Sequence, residues 1–328
     1  MITLCTLFDH IYLDKGLAMY RSLVEVCEEF ELYVLAMSDK CYDILSDLNY
    51  THLKPIKLED FEDDELLRVK PVRKVGEYCW TCSSSLIRYV LITYKPDYCT
   101  YIDADLFFYT DPKVIIDEMK SKEASVQVIG HRFDKNLAEQ AERIVGKYCV
   151  EFNTFKNDDN GMMLLNKWRN QCLEHCSIDG DGLYWGDQKY QERWCDDYDF
   201  VIETENLGAG IAPWNIRQYI KKGDLLYNKQ YNRTCCLVFY HFENIIYKDR
   251  HKVDINITGL IKSDYLFVRN IYKKYLLRVD KEKEMLREKY GLDILLLKHP
   301  GVDANNKKNS IIARIKSRVS QLLRTVSF

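Results

Sequence analysis

The sequence predicts an α/β protein with a mostly parallel sheet flanked by helices and a helical C-terminal extension. Strand-like and helix-like segments alternate through the first half of the 328-residue chain, a pattern typical of parallel sheets covered on both faces. Hydrophobic residues make up 47% of the chain and charged residues 30%, which allows a sizeable core. From about residue 261 the pattern becomes that of charged helices.

The elements of the first half follow from apolar runs and helical spacing. ITLCTLF (2–8), ELYVLAMS (31–38) and HLKPIKL (52–58) read as strands. Helical spacing continues through residues 12–27 and 77–94, and DKCYDILSDL (39–48) begins at a good helix cap. The helix at 77–94 leads into TYIDADLFFYTDP (100–112), which begins as a buried strand.

The second half is less regular and carries three loops rich in Gly, Asn, Asp and aromatic residues, a composition suited to a binding face. These loops are EFNTFKNDDNG (151–161), DGDGLYWGDQKYQERW (179–194) and NLGAGIAPWN (206–215). Strand patterns recur at residues 124–131 and 235–242. We predict a catalytic domain over residues 1–260, a helical extension over 261–305 and a separate terminal helix over 306–328.

Charge and cysteine content limit the classes of function. The formal net charge of −3 gives no support for nucleic-acid binding. The first residues lack a basic leader and no window is apolar over a full span, so we expect a cytoplasmic protein without a signal peptide. The twelve cysteines are expected to be reduced. Cys79/Cys82 and Cys172/Cys176 were weighed as zinc ligands, but no histidine pair accompanies them and buried apolar roles are preferred.

The terminal segment, residues 306–328, combines apolar residues at helical spacing with basic residues and no acid. Such a helix lies well on an anionic membrane surface, where each basic residue contributes about 1 kcal/mol. We therefore predict peripheral association with the inner face of the membrane. The alternative is a helix that docks on the body of the protein or on a partner subunit.

Asp103 and Asp105 interrupt the apolar strand at 100–108. Residues two apart in an extended chain point to the same side, and the carboxyl ends of parallel strands are where such sheets bind ligands. Two carboxylates there suit Mg²⁺ or Mn²⁺ held together with the oxygens of a diphosphate. The alternative is an Asp-rich turn whose carboxylates accept hydrogen bonds from backbone amides.

Several segments, in this order along residues 1–245, resemble the GT-A fold glycosyltransferases, most closely family 8 and its retaining relatives. The segments are ITLCTLFDHIYLDKGLAMYRSL, YIDADLFF followed by TDP, FNTFKNDDNGMMLLNKWR, WGDQKYQERW, NLGAGIAPWN and LVFYHF. The resemblance implies a GT-A (Rossmann-like) sheet and transfer of a sugar, with retention, from a UDP-sugar to a glycan. Together with the terminal helix, it suggests a lipid-linked polysaccharide or lipopolysaccharide precursor as acceptor.

The resemblance also implies roles for individual residues. The residues implied to hold the divalent metal (Mn²⁺ or Mg²⁺) are Asp103, Asp105 and His241. Those implied to bind the donor, in addition to Asp103, are Thr6, Phe8, Tyr12, Arg88 and Asn153. Asp187 and Gln188 would lie beneath the reacting sugar carbon as catalytic residues.

Four of these assignments compete with simpler readings of the residues. His241 in an apolar strand suits a hydrogen-bonded core histidine, and Phe8 suits core packing. Arg88 suits a surface position, and Asp187 suits the N-cap of a helix over QKYQERW.

The chain departs from the family pattern after the histidine, where HFENIIY lacks the glycine and the lysine of many relatives. Lys248 is a candidate replacement for that lysine. Two alternative functions compete with glycosyl transfer. A sugar nucleotidyltransferase needs a glycine-rich phosphate loop after the first strand, where this chain has only Gly16. A non-catalytic adaptor would keep the fold without turnover.

Overall fold

The structure is a computed structural model of the 328-residue chain. It describes residues 1–136, 138–177, 184–243, 245–249, 251–255, 257, 262–297 and 325–327.

Fifteen strands are assigned within the described residues. They are β1 (Ile2–Phe8), β2 (Phe30–Ala36), β3 (Leu53–Lys57), β4 (Tyr98–Ile102), β5 (Leu106–Phe108), β6 (Val126–Gly130), β7 (Tyr148–Lys156), β8 (Val201–Glu203), β9 (Tyr219–Lys222), β10 (Leu225–Asn228), β11 (Arg233–Cys235), β12 (Phe239–His241), β13 (Ile246–Asp249), β14 (Lys252–Asp254) and β15 (Thr325–Ser327).

Ten α-helices are assigned in the same part of the chain. They are α1 (Leu13–Val26), α2 (Asp39–Leu48), α3 (Leu58–Phe61), α4 (Asp64–Val69), α5 (Val75–Thr93), α6 (Lys113–Ser121), α7 (Ala138–Val145), α8 (Asp159–Glu174), α9 (Trp194–Asp197) and α10 (Lys262–Tyr290). Short 3₁₀ turns cover Lys70–Val72, Lys189–Gln191, Ile216–Gln218 and Ile294–Leu296.

Seven strands form the central sheet in the order β3, β2, β1, β4, β7, β6, β8. All neighbouring pairs are parallel except those that β7 makes with β4 and with β6. Six strands therefore share one direction, and their carboxyl ends lie along one edge. This confirms the predicted mostly parallel sheet flanked by helices.

Hydrophobic clusters cover both faces of the central sheet. The residues of β1 alternate between them: Leu4 and Phe8 join the cluster that contains α1, and Cys5 and Leu7 join the cluster that contains α5. This is the alternation expected of a strand buried on both faces. The C-terminal helix α10 packs on α1, and α8 packs on α5.

Three small sheets complete the described structure. The pair β5 and β12 is antiparallel and lies beyond the end of β4. The other two contain β9 to β11 and β13 to β15. In the sheet of β13 to β15, β15 pairs with β14, so Thr325–Ser327 form a strand. The sequence predicted the end of a helix at these residues. The rest of that predicted helix, 306–324, lies outside the described residues.

Of the cysteines considered as zinc ligands, Cys79 and Cys82 lie on α5, Cys172 lies on α8, and Cys176 follows the end of α8. Cys82, Cys172 and Cys176 are buried, and all twelve cysteines are unbridged. Within the described ranges, neither pair belongs to a group of side chains placed to hold a metal. In that same part of the chain, every helix is too short or too polar to cross a membrane.

Candidate active site

The two aspartates of the DAD sequence lie at the carboxyl end of β4. The strand ends at Ile102, and the chain turns so that the amide of Leu106 donates a hydrogen bond to the carbonyl oxygen of Asp103 (3.3 Å). The amide of Asp103 donates to the carbonyl oxygen of Glu151 on the neighbouring strand β7 (3.1 Å). Both carboxylates are thereby placed at the edge of the sheet, as the sequence predicted.

His241 reaches the aspartates through strand pairing. In the antiparallel pair β5 and β12, His241 lies opposite Leu106, the residue after Asp105. The amide of Phe242 also donates to the carbonyl oxygen of Asp105 (3.0 Å). The imidazole Nε2 lies 3.2 Å from Asp105 Oδ1 and 3.8 Å from Asp103 Oδ2. A histidine 136 positions along the chain is thus brought beside the two carboxylates.

A third carboxylate completes this group. Glu151 on β7 is fully buried, and its Oε2 lies 2.6 Å from His241 Nδ1. We did not predict Glu151 from the sequence. The available signal was an acid inside the run YCVEFNTF, a conflict of the same kind as the aspartates in their strand.

The surroundings shift the pKa values of Asp103, Asp105 and His241. Burial raises the pKa of Asp103 to about 7, and the charges of Asp105 and Glu151 add to this rise against the opposing effect of His241. For Asp105, burial acts in the same direction, but the attraction of His241 outweighs it and the pKa is lowered. Burial disfavours the imidazolium of His241, yet its pKa is raised well above the usual value because Asp105 and Glu151 stabilise the charged form.

Tyr12 and Lys15, one helical turn apart at the start of α1, flank the same group. The Tyr12 hydroxyl donates a hydrogen bond to Asp105 Oδ2 (3.4 Å). The ammonium of Lys15 stands 3.6 Å from the centre of the Tyr12 ring, and its charge contributes to the lowered pKa of Asp105. Tyr12 was predicted and Lys15 was missed, although its spacing of three residues from Tyr12 places both on one helix face.

Asp187 lies nearby and is buried. Its Oδ2 accepts a hydrogen bond from Ser83 Oγ on α5 (2.5 Å), and its carbonyl oxygen accepts one from the Trp168 indole (2.8 Å). Burial raises its pKa to about 7, and its charge contributes to the raised pKa of Asp103. The alternative reading as an N-cap is wrong, because the following residues form a 3₁₀ turn and no α-helix runs through QKYQERW.

Gln188 and Asn153 are engaged inside the protein. The amide group of Gln188 donates to the carbonyl oxygen of Val145 at the end of α7 (2.6 Å). Asn153 is fully buried on β7 opposite Tyr101. With the amide group in the orientation that satisfies its neighbours, its side-chain oxygen accepts from Gln191 Nε2 (2.6 Å). In this structure both side chains hold the site's framework together through internal hydrogen bonds.

Thr6 and Phe8 lie inside the sheet and its cover. Thr6 is fully buried, and within the described part of the chain its hydroxyl has no hydrogen-bond partner. The Phe8 ring packs on α1 at Gly16, where an added Cβ would stand 2.5 Å from the ring carbons. Gly16 lets the ring pack into the core, which favours the core-packing reading of Phe8; its role in donor binding stays a prediction.

Arg88 on α5 contacts the neighbouring helix α8. Its Nε donates to Asn166 Oδ1 (2.8 Å), and it lines a small cavity with Phe61, Ser85 and Arg169. Its role in donor binding stays a prediction. Lys248, the other candidate phosphate ligand, lies outside the described side chains.

The loop 206–215 packs against the back of this group. The Trp214 ring stands edge-on to the His241 ring, with centres 5.4 Å apart, and its indole N–H donates to the carbonyl oxygen of His131 (2.9 Å). Gly210 has a φ of +70°, and an added Cβ would lie 2.7 Å from Glu151 Oε1. Only glycine fits this conformation and this close approach without strain.

The described residues suit a divalent cation. One ligand atom each from Asp103, Asp105 and His241 lies within 4.8 Å of the others. Carboxylate oxygens with one imidazole nitrogen form a donor set that Mn²⁺ or Mg²⁺ accepts. Three carboxylates around one imidazole leave an excess of buried negative charge, which adds to the effect of burial in raising the pKa of Asp103. A cation at this position would remove that excess.

Comparison with known proteins finds two relatives of this chain in sequence. No family model matches the chain. It is 29% identical over 278 residues to the uncharacterized protein YfnD of Bacillus subtilis (strain 168), covering 84% of this chain and 87% of YfnD. It is 27% identical over 296 residues to the uncharacterized protein YfnF of the same strain, covering 88% of this chain and 95% of YfnF.

A solved structure extends the comparison to the fold. The crystal structure of the galactosyltransferase LgtC, in complex with donor and acceptor sugar analogs, is 11% identical with a TM-score of 0.53. The alignment covers 88% of this chain and 100% of LgtC. With the six-parallel-strand sheet and the aspartates at its carboxyl edge, this likeness shows that the chain has the GT-A fold of glycosyltransferases.

Proposed function

We propose that the protein is a metal-dependent glycosyltransferase that moves a sugar from a UDP-sugar donor to a glycan acceptor with retention at the sugar carbon. One observation carries this proposal. Asp103 and Asp105 from one segment and His241 from a distant one meet at the carboxyl end of β4, where sheets of this kind bind nucleotides. The GT-A fold and the family resemblance of the surrounding segments support the same reading.

The metal, when bound by Asp103, Asp105 and His241, would stabilise the negative charge that develops on the diphosphate leaving group. The chain's own residues have complementary roles. Lys15 and Tyr12, on the Asp105 side, would contact the diphosphate, and Lys15 would supply the positive charge that the sequence after His241 lacks. Charge-assisted hydrogen bonds of this kind are roughly twice as strong as neutral ones.

Asp187 is the residue we assign to the reacting sugar. Its carboxylate, anchored by Ser83, would stabilise the positive charge that forms at the sugar carbon as the bond to the diphosphate breaks. Gln188 would act beside it by releasing Val145 and turning toward the sugar. Thr6 and Asn153 would support the donor pocket, Asn153 by holding Gln191 in place.

The acceptor we propose is a lipid-linked glycan, such as a polysaccharide or lipopolysaccharide precursor, met at the inner face of the membrane. Support comes from the sequence of residues 306–328, in which apolar residues at helical spacing accompany basic residues without an acid. A basic surface-bound segment would keep the catalytic domain, residues 1–260, beside its acceptor while the extension 261–305 connects the two.

A donor panel tests the proposal. UDP-, GDP- and CMP-sugars are incubated with the protein in Mn²⁺, in Mg²⁺ and in chelator, and the release of free nucleotide is measured. We expect metal-dependent release from a UDP-sugar and loss of that release in the Asp103→Ala/Asp105→Ala variant. If no donor binds or reacts under any condition, the protein is better described as an adaptor that keeps the fold.

A further inference from the structure

Glu151 lies behind His241, on the opposite side of the imidazole ring from Asp103 and Asp105. We propose that Glu151 is a positioning residue that orients His241 for metal binding. The inference rests on the proposed function, since it takes His241 as a metal ligand. It adds a residue that the sequence patterns had not indicated.

The hydrogen bond between His241 and Glu151 decides which nitrogen of the imidazole ring can bind the metal. A carboxylate can only accept, so the short contact of 2.6 Å between Glu151 Oε2 and His241 Nδ1 places a proton on Nδ1. Nε2, 3.2 Å from Asp105 Oδ1, then faces the metal position. Histidine ligands are commonly held in this way by a carboxylate that fixes the tautomer and the ring orientation.

Glu151 also links His241 to Asp103. Its carbonyl oxygen accepts the amide hydrogen bond of Asp103 (3.1 Å) while its side chain holds His241. It lies on β7, between β4 and β6 in the central sheet. One rigid residue therefore sets both the backbone of the first aspartate and the ring of the histidine.

The surroundings keep the Glu151 carboxylate in place. The residue is fully buried, and Gly210 approaches so closely that an added Cβ would lie 2.7 Å from Oε1. Among the described residues Oε1 has no hydrogen-bond partner. Burying a carboxylate oxygen without a partner is unfavourable. A role in orienting His241 would explain why a carboxylate is nevertheless buried here.

A second metal site behind His241 is the competing interpretation. Cys149, Glu151 and His241 also bring ligand atoms within 4.8 Å of one another. A metal there would have to displace the proton on Nδ1. The hydrogen-bonded arrangement leaves that proton in place.

Variants of similar size separate the hydrogen bond from the volume of the side chain. Glu151→Met fills the site without an acceptor, and Glu151→Gln keeps an oxygen that can accept from Nδ1. The dissociation constant of Mn²⁺ is measured by the electron paramagnetic resonance signal of free Mn²⁺. We expect about 10- to 100-fold weaker binding for Glu151→Met and near-natural binding for Glu151→Gln. Glu139→Gln, on the exposed helix α7, is the control.

A double-mutant cycle tests whether Glu151 acts through His241. In a His241→Ala background, Glu151→Met should weaken Mn²⁺ binding by no more than about twofold, because the residue that it positions is gone. Thermal unfolding checks that each variant is folded, and Glu151→Ala replaces Glu151→Met if the latter does not fold. Equal losses in Glu151→Gln and Glu151→Met, or additive losses in the cycle, would overturn the inference.

The result also separates this inference from the proposed function. If the natural protein takes up no Mn²⁺, the metal site of the proposed function fails and the inference fails with it. If the natural protein binds Mn²⁺ and Glu151→Met binds it equally well, only the role of Glu151 is refuted. Binding of Mn²⁺ that depends on Cys149 instead of Asp105 would support the competing site and overturn the inference.

Discussion

The Asp187 side chain is buried and accepts a hydrogen bond from Ser83. Its protonation is therefore coupled to folding. Burial raises its pKa from the ordinary 3.8 to about 7, although the hydrogen bond from Ser83 opposes the rise. A carboxyl group that binds its proton more tightly in the folded state stabilises the fold fully below pH 3.8. This contribution is lost as the pH rises through about 7.

The Asp187→Asn variant has no such titration. Relative to this variant, the natural protein should lose about 4 kcal/mol of unfolding free energy between pH 4 and pH 8, since each pKa unit corresponds to about 1.4 kcal/mol. Urea unfolding of both proteins without metal at the two pH values measures the difference. Asp117→Asn, on the exposed side of α6, is the control. Parallel pH profiles for the natural protein and Asp187→Asn would contradict the burial argument.

Lys15 provides a second prediction about a single residue. Lys15→Met keeps the length of the side chain and removes its charge beside Asp105 and Tyr12. Because hydrogen bonds to charged groups contribute about 1.5–3 kcal/mol, we expect UDP to bind at least tenfold more weakly in the presence of Mn²⁺. Calorimetric titration with UDP measures this change. Lys113→Met, an exposed lysine on α6, should bind UDP as the natural protein does, and an unchanged affinity of Lys15→Met would remove Lys15 from the donor site.

Some site residues could be predicted from the sequence and others could not, and the difference has a physical reason. Asp103 and Asp105 were visible because two charges in an apolar strand demand compensation. Arg88 contacts Asn166 on α8, and its role in donor binding stays a prediction, because helical spacing alone does not say which turn of α5 faces the sheet edge. Glu151 left the same local signal, an acid in an apolar strand, but its partner His241 is 90 residues away, so the sequence did not show which group compensates its charge.

At the scale of elements, helix α10 supports the strands that carry the metal ligands. The Tyr275 ring stacks on Phe242, with centres 3.9 Å apart, and meets Phe107 edge-on at 5.9 Å. Phe107 lies on β5, two residues after Asp105, and Phe242 directly follows His241 at the end of β12. The predicted C-terminal extension is thus part of the core that holds the site.

Substitutions at Tyr275 separate ring packing from its hydroxyl. Tyr275→Ala should lower the unfolding free energy by about 3–5 kcal/mol, the usual cost of removing a buried aromatic ring. The buried hydroxyl has no hydrogen-bond partner among the described residues, so Tyr275→Phe should be neutral or stabilising by up to about 1 kcal/mol. Chemical unfolding measures both, with the exposed Leu277→Ala as control. Marked destabilisation by Tyr275→Phe would show that the hydroxyl is satisfied in solution.

The element pattern of the first half was predictable because local spacing determines it. Strands β1 to β4 and helices α1, α2 and α5 lie within a few residues of their predicted bounds. The pairing of β5 with β12, which delivers His241, depends on two segments separated by more than a hundred residues. Only the assembled core specifies that register, and the resemblance to a family was the only route to it from sequence.

At the scale of the whole molecule, membrane association is the prediction that concerns residues 306–328. Replacing the six basic residues between 307 and 324 with glutamine keeps the apolar pattern and removes the charge. At about 1 kcal/mol for each basic residue near an anionic surface, binding to vesicles that contain anionic lipid should fall by several orders of magnitude. Sedimentation with vesicles measures it, and neutral vesicles are the control. Unchanged binding would favour docking of this segment on protein.

The central claim is that the aspartates at the end of β4 and His241 form a metal-dependent sugar-transfer site. The most direct measurement is the release of UDP from its preferred UDP-sugar by the natural protein, by Asp105→Asn and by the control Asp117→Asn, each with Mn²⁺ and then with excess chelator. We predict release by the natural protein and the control that stops with chelator, and at least a hundredfold lower rate for Asp105→Asn. Release that persists in chelator, or that Asp105→Asn retains, would contradict the claim.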